Sequence, residues 1–324
     1  MIFFKRNVTT ALVAMMLIAG SALSAQTVEE AAAMFQEANT LLAENDYDAA
    51  LRGFSECIDF CEEIGEEADE IRNAAIEIMP QLKYNYAIML SRENKYDEAV
   101  RMYEQAIRDA KKYNRIDYVV KAEDALSKLH YKAGTDLIKA SEFPKGIEAM
   151  EKAVAIDSTN SAAYYYMGYA YAKLGQSDKR IAVYREGIEK GSNESLNIKM
   201  QESLNKIYSN KAVQLINTKL YPEAFAYLDT AISIMETVES YYYYGVGLIG
   251  AKRYDAAQEK LEKAMALTDD KSPGMTALIN YELGQVFLYG KDDKKAACNY
   301  FSMAKADTAA SDKAQKMLSQ LKCE

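Results

Sequence analysis

The chain has one histidine, no tryptophan, four prolines and four cysteines among 324 residues. A single His removes the commonest general base and the commonest metal ligand, which argues against most hydrolases and metalloenzymes. With only 15 Gly and 49 % hydrophobic residues, neither disorder nor a collagen-like chain fits. Beyond the first 25 residues no stretch is apolar for 18 residues, so no later segment is a candidate membrane-spanning helix. Basic tracts are missing and the net charge is −9, a poor balance for nucleic acid or an anionic membrane. There is no Gly-rich phosphate loop, no Ser-centred elbow and no Cys/His metal spacing. These absences point away from an enzyme and from any cofactor or metal. The one surplus is Tyr, with 25 copies.

Met1–Ala25 reads as a secretory signal peptide. Lys5 and Arg6 form the positive start, Val8–Ala19 the apolar core, and Gly20–Ala25 a small-residue zone cut near Ala25. The apolar run is about a dozen residues, short of the ~20 that span a bilayer. The mature chain is therefore expected to be exported: periplasmic, at the cell surface or secreted, with no transmembrane segment. Removal of the two cations takes the net charge from −9 to −11. The acid is concentrated at the start. Residues 27–79 hold 15 Asp/Glu against two Arg, whereas 80–324 hold 33 acids against 35 bases.

One string recurs through the chain: aromatic, two residues, Ala or Gly, three residues, large apolar, two residues, small. It reads Tyr47…Ala50…Phe54…Cys57, Tyr96…Ala99…Tyr103…Ala106 and Phe143…Gly146…Met150…Ala153. It returns as Tyr221…Ala224…Leu228…Ala231 and Tyr254…Ala257…Leu261…Ala264, with weaker copies at Arg180…Tyr184…Gly187 and Ala297…Phe301…Ala304. Upstream of each lies a stripe at i, i+3, i+4, i+7, as in Tyr164/Met167/Gly168/Tyr171 and Tyr241/Tyr244/Gly245/Leu248. That spacing is one face of an amphipathic helix. Each unit is thus helix, short turn, helix. Pro144 and Pro222 mark the first turn of the second helix, where Asp48, Asp97 and Asp255 serve elsewhere by complementing the helix dipole.

These motifs resemble the tetratricopeptide repeat (TPR) family, Met167-Gly168-x-x-Tyr171…Tyr184…Gly187 and Tyr244-Gly245-x-x-Leu248…Ala257…Leu261…Ala264 most closely. The resemblance implies an all-α fold: a right-handed α-α superhelix, or TPR solenoid, of about seven helix-turn-helix units plus a C-terminal capping helix. The expected layout is a signal peptide over 1–25, N-terminal units over 26–190, C-terminal units over 191–307 and a cap over 308–324. Gaps longer than the family period imply extended helices or loops near 60–78, 110–125 and 188–203. Leu283-Gly284-x-x-Phe287 sits one residue out of step with Ala297.

The face of each first helix next to the core stripe would line the concave side. It reads Gln81/Tyr84/Asn85/Ile88, Lys128/Tyr131/Lys132/Thr135, Ala162/Tyr165/Tyr166/Tyr169, Lys206/Ser209/Asn210/Val213 and Glu239/Tyr242/Tyr243/Val246. Tyr offers rigid contact area with a polar tip. The candidate partner-binding residues are Tyr84, Tyr131, Tyr165, Tyr166, Tyr169, Tyr242 and Tyr243, with 166, 169 and 243 the least usual for the family. The carboxylate clamp that the family sometimes carries is matched only in part: Asn39, Asn85, Lys128 and Lys132 stand at its places, but Phe35 stands where Lys is expected and the first two gaps are too long. His130 falls on the core stripe and reads as a packed core residue. Cys57 and Cys61 lie one helical turn apart, an awkward span for a bridge. Cys298 and Cys323 are a candidate disulfide, brought together if the cap helix packs antiparallel. The resemblance implies a non-catalytic exported scaffold that holds a protein or peptide partner in its concave groove, in an envelope complex. The alternative is a glycan-binding accessory of polysaccharide capture, against which the missing Trp counts.

Overall fold

The computed structural model describes residues 27–268 and 273–323. The expected leader, 1–25, lies outside them. The chain divides into two compact units, the first ending at Leu174 and the second starting at Gly175. The first unit holds α1 (27–43), α2 (Tyr47–Ile64), a short 3-10 turn, α3 (Asp69–Arg92), α4 (Tyr96–Lys112), α5 (Ile116–Lys139), α6 (Phe143–Ile156) and α7 (Ser161–Lys173). The second holds α8 (Ser177–Lys190), α9 (Glu194–Asn217), α10 (Tyr221–Ile234), α11 (Val238–Gly250), α12 (Tyr254–Leu267), α13 (Pro273–Gly290), α14 (Lys294–Ala304) and α15 (Ser311–Leu321). The fold is all-α, and the chain order is seven helix-turn-helix units with a terminal α15.

The recurring string builds the core. Ala50, Phe54, Cys57, Met150, Ala153, Ala224, Leu228, Ala257, Leu261, Ala297 and Phe301 are all fully buried. The small anchors let helices approach closely. A Cβ added at Gly245 would lie 2.5 Å from Leu261 Cγ, and one at Gly284 would lie 2.5 Å from Phe301 Cε1. Gly284 therefore plays the part of Gly245, and the one-residue mismatch is absorbed in the turn. At the α11–α12 turn Arg253 N–H donates to Leu248 O, five residues back; at the α13–α14 turn Asp293 N–H reaches Phe287 O, six back. Within-unit turns place a residue with positive φ just before the second helix, among them Asn45, Asn94, Ser141, Lys219 and Lys252.

The extra residues of the long units go into helix. α3, α5 and α9 each run 24 residues, against 13 for α7 and α11. Pro80 sits inside α3, where it removes one intrahelical hydrogen bond. Nearby, the Glu77 carbonyl accepts a bond from Arg115 Nη1 at 3.1 Å. The α8–α9 turn follows Lys190. There Asn193 caps α9 by accepting from Leu196 N–H at 3.0 Å, and Arg185 of α8 donates to Tyr208 Oη of α9 at 3.0 Å.

Within each unit consecutive helices pack, and so do consecutive first helices: α3 on α5, α5 on α7, α9 on α11 and α11 on α13. Among the described residues consecutive second helices do not approach in this way. In each compact unit the first helices thus form an inner, more closely spaced row. At the C-terminus Cys298 of α14 is disulfide-bonded to Cys323, with Cα atoms 5.8 Å apart. Cys57 and Cys61 are free and buried; burial pushes the Cys57 thiol up to about 12.

Candidate functional site

An aromatic recurs on the inner row at a fixed register. Phe35, Tyr84, Tyr131, Tyr165 and Tyr242 each stand nineteen residues before the large apolar residue of the next string. The rings pack onto those strings: Phe35 on Phe54 at 5.6 Å between centroids and Tyr84 on Tyr103 at 5.9 Å. Tyr281, twenty residues before Phe301 because of the longer turn, packs on it at 5.6 Å. One member is missing. In α9 the register position is Ser209, nineteen residues before Leu228. A hydrogen-bond match confirms the alignment. Ser127 Oγ of α5 donates to Ala153 O and Asn205 Nδ2 of α9 donates to Ala231 O, each at 3.0 Å. Four residues on from these donors stand Tyr131 and Ser209.

Where the ring is missing, a groove of about 510 Å³ opens between α9 and α11. The sequence stripe supplies Lys206, Ser209, Asn210, Glu239 and Tyr243 to its lining. Three further residues, Glu202, Asn205 and Thr237, were not among the sequence candidates. Tyr243 forms a wall, its ring packed toward the Ala212, Ala224 and Leu228 cluster. The floor is a polar network. Asn205 Nδ2 donates to Met235 O at 2.8 Å and to Ser240 Oγ at 2.9 Å. Ser209 and Ser240 hydroxyls share a bond of 3.0 Å, and Thr237 and Ser240 hydroxyls one of 2.9 Å. Asn205, Ser209 and Ser240 are all buried. The network ties α9 to the end of α10, with Asn205 donating to the Ala231 and Met235 carbonyls. At the rim Glu202, Lys206, Asn210 and Glu239 are exposed. The three rim charges enter no ion pair among the described residues.

The other sequence candidates fall into separate settings. In the first unit Tyr84 is wedged between Tyr103 and Tyr118, its ring 6.1 Å from the latter, a packing role between helix pairs. Tyr166 is ringed by Tyr131 at 6.2 Å and Tyr165 at 5.9 Å. Tyr169 points outward, 42 % exposed, with Lys173 Nζ 5.3 Å from its ring centre. In the second unit Tyr242 is half-buried against Tyr243 at 5.4 Å. Burial, then the nearby Glu282 carboxyl, pushes its phenol well above the ordinary range.

Glu282 is the charged surprise of this row. It occupies in α13 the register position that Tyr243 holds in α11, counted from Gly284 and Gly245. It is 9 % exposed. Burial raises its carboxyl to about 7, against the opposing pull of Lys313 and a hydrogen bond from Gln285. His130 is buried as well and shares a hydrogen bond through Nδ1 with the Tyr96 hydroxyl. Burial, and secondarily Lys152, lowers it to about 4. Among the described residues no group of three or more His, Cys, Asp or Glu is placed to hold a metal ion, and no helix is long and apolar enough to cross a membrane.

Two segments match models of the tetratricopeptide repeat, at residues 80–108 and 149–182. The first begins at Pro80, so the repeat proper takes the second half of α3 and the residues before it are an extension. Among solved structures the chain resembles YrrB, described as a TPR protein with an unusual peptide-binding site. Identity there is 19 %, the TM-score 0.35, and the likeness covers 66 % of this chain and 97 % of that one. A tetratricopeptide repeat protein from Parabacteroides merdae ATCC 43184 is 14 % identical, with a TM-score of 0.31, over 92 % of this chain and 99 % of that one. The C-terminal part of a TPR repeat-containing protein from Cytophaga hutchinsonii is 18 % identical, with a TM-score of 0.38, over 74 % and 84 %. No curated protein matches the chain.

Proposed function

We propose that this chain, which belongs to the tetratricopeptide repeat family, is a non-catalytic scaffold of the cell envelope that holds a peptide segment of a partner protein on its inner row of helices. The fold supplies a protein-interaction frame. The observation that carries the finer reading is the groove between α9 and α11, with its hydrogen-bonded polar floor, its tyrosine wall and rim charges that enter no ion pair among the described residues. Such a site is preorganised, so little is lost in ordering it when a peptide docks. Tyr243 is the contact residue best placed for this. Tyr165, Tyr166 and Tyr169 form a second tyrosine surface, in the first unit, and Tyr131 backs it. Tyr84 and Tyr242 serve mainly to support packing.

Export is supported by the leader pattern of residues 1–25 and by the Cys298–Cys323 disulfide, a bond that persists in oxidising compartments. Peptide-display selection on the purified chain, wild type against Tyr243→Ala and Glu239→Lys, tests the binding role. Enrichment that both variants weaken is the expected result; no enriched peptide would sink it. The polar lining keeps a glycan as the second reading, and signal on a glycan array without any enriched peptide would put it first. Fractionation of cells, with the leader absent from the intact mass of the envelope form, is the expected outcome for export.

A further inference from the structure

We propose that the groove between α9 and α11 is the seat of one tyrosine side chain from the partner, flanked by basic residues, which restores the ring the inner row lacks at Ser209. This rests on the peptide-scaffold reading and makes it specific. Three observations carry it. The first is register: every other first helix carries an aromatic at the place in its repeat where α9 has Ser209, and the cavity of about 510 Å³ is lined by Ser209.

The second is the chemistry of the lining. Tyr243 offers a ring wall against which an incoming ring packs offset or edge-on. The Asn210 amide stands exposed at the edge, so a phenol that reaches it gains a hydrogen bond that a bare phenyl cannot make. Tyr is therefore favoured over Phe. The third is charge. Glu202 and Glu239 stand at the rim against Lys206 alone, so the mouth carries one excess negative charge and favours cations on either side of the tyrosine.

The probes are the tripeptide amides Lys-Tyr-Lys, Lys-Ala-Lys and Glu-Tyr-Glu, titrated into the purified chain and followed by NMR. Lys-Tyr-Lys is expected to bind about tenfold tighter than either of the others, the gain of one well-packed ring or of the matched charges. Ser209→Tyr fills the seat from within and should erase the preference. Ser209→Ala should keep most of it. Tyr243→Ala, which needs no room, should erase it too, and Tyr84→Ala in the other unit should leave it intact. Equal binding of Lys-Tyr-Lys and Lys-Ala-Lys, no binding of any of the three, or a preference that survives both Ser209→Tyr and Tyr243→Ala would overturn the proposal. Display selection separates this failure from that of the broader reading. Enriched peptides without an aromatic would remove the tyrosine seat and leave the peptide scaffold standing.

Discussion

His130 offers the sharpest test of the packing, because it is the only histidine in the chain. It is 6 % exposed and hydrogen-bonded to Tyr96 from α4, and the positive charge of Lys152 on α6 also disfavours its protonation. The folded value is about 4, against about 6.5 for an unperturbed histidine. A base lowered in this way contributes stability that is present above 6.5 and is lost as pH falls toward 4, since the unfolded chain takes up the proton first. At 1.36 kcal/mol per unit the whole difference is about 3 kcal/mol, and about 2 kcal/mol of it is gone by pH 5, where most carboxylates are still ionised. Urea unfolding at pH 8 and pH 5 measures the loss in the wild type. His130→Tyr, which installs the residue found at the same register in Tyr164, Tyr208 and Tyr241, should lose about 2 kcal/mol less over that interval. The difference between the two proteins cancels the other titrating groups. Repeat arrays need not unfold in one step, so hydrogen exchange of α5 amides is the local readout. The ring proton of the single His gives a direct one. A titration midpoint above 6 in the folded protein, or identical pH dependence for wild type and His130→Tyr, would refute the burial argument.

Glu282 works in the opposite sense. Its raised carboxyl favours the fold below about 4.5 and loses that favour as pH climbs through 7, so Glu282→Gln should stabilise by up to about 3 kcal/mol at pH 8 and by little at pH 4, read as the shift in urea midpoint. Breaking the C-terminal disulfide with Cys323→Ser opens a loop closed over 25 residues; the expected cost is about 3 to 4 kcal/mol, confined to α13–α15 and visible as faster amide exchange there. Gly245→Ala drives a Cβ into Leu261 and should destabilise by about 1–3 kcal/mol, while Gly274→Ala, with 3.5 Å to its nearest neighbours, should be mild by the same thermal melt. Lys252→Gly relieves a left-handed backbone at φ 57°. A left-handed L-residue costs about 1–2 kcal/mol and glycine gives up some of that in unfolded-chain entropy, so a small net rise in Tm is expected, larger than for Asn45→Gly.

The second helices were the most legible part of the chain. Tyr47, Tyr96, Phe143, Tyr221 and Tyr254 each begin one, because the string fixes both a start signal and a buried face. The first helices were harder to bound. Asp69–Met79 and the opening turns of α5 and α9 carry no motif, and nothing local in them distinguishes helix from loop; neighbouring helices hold them. The α13–α14 turn shows the converse, since a single inserted residue blurred the register in sequence while the Gly284–Phe301 contact kept it in space. The groove was half legible. Lys206, Ser209, Asn210, Glu239 and Tyr243 stood on the right stripe, but a cavity made by a missing ring is a gap in a pattern rather than a motif. Its floor joins Asn205 to Ser240 across 35 residues, a pairing that periodicity cannot show. Glu282 shares the register of Tyr243, but an acid on a helix face is usually solvated, so nothing local in the sequence marks its burial.

The disulfide at α14–α15 also gives the array a direction. A stack of repeats frays from its ends, where each unit has a neighbour on one side only. Here the two ends are unequal. The C-terminal helix is tied covalently to the one before it, while residues 27–79 carry 15 acids against two Arg and repel one another. Amide exchange should therefore be faster in α1 and α2 of the first unit than in α13–α15 of the second. The tyrosine seat shares its unit with the tied helices and should outlast α1 and α2 under stress.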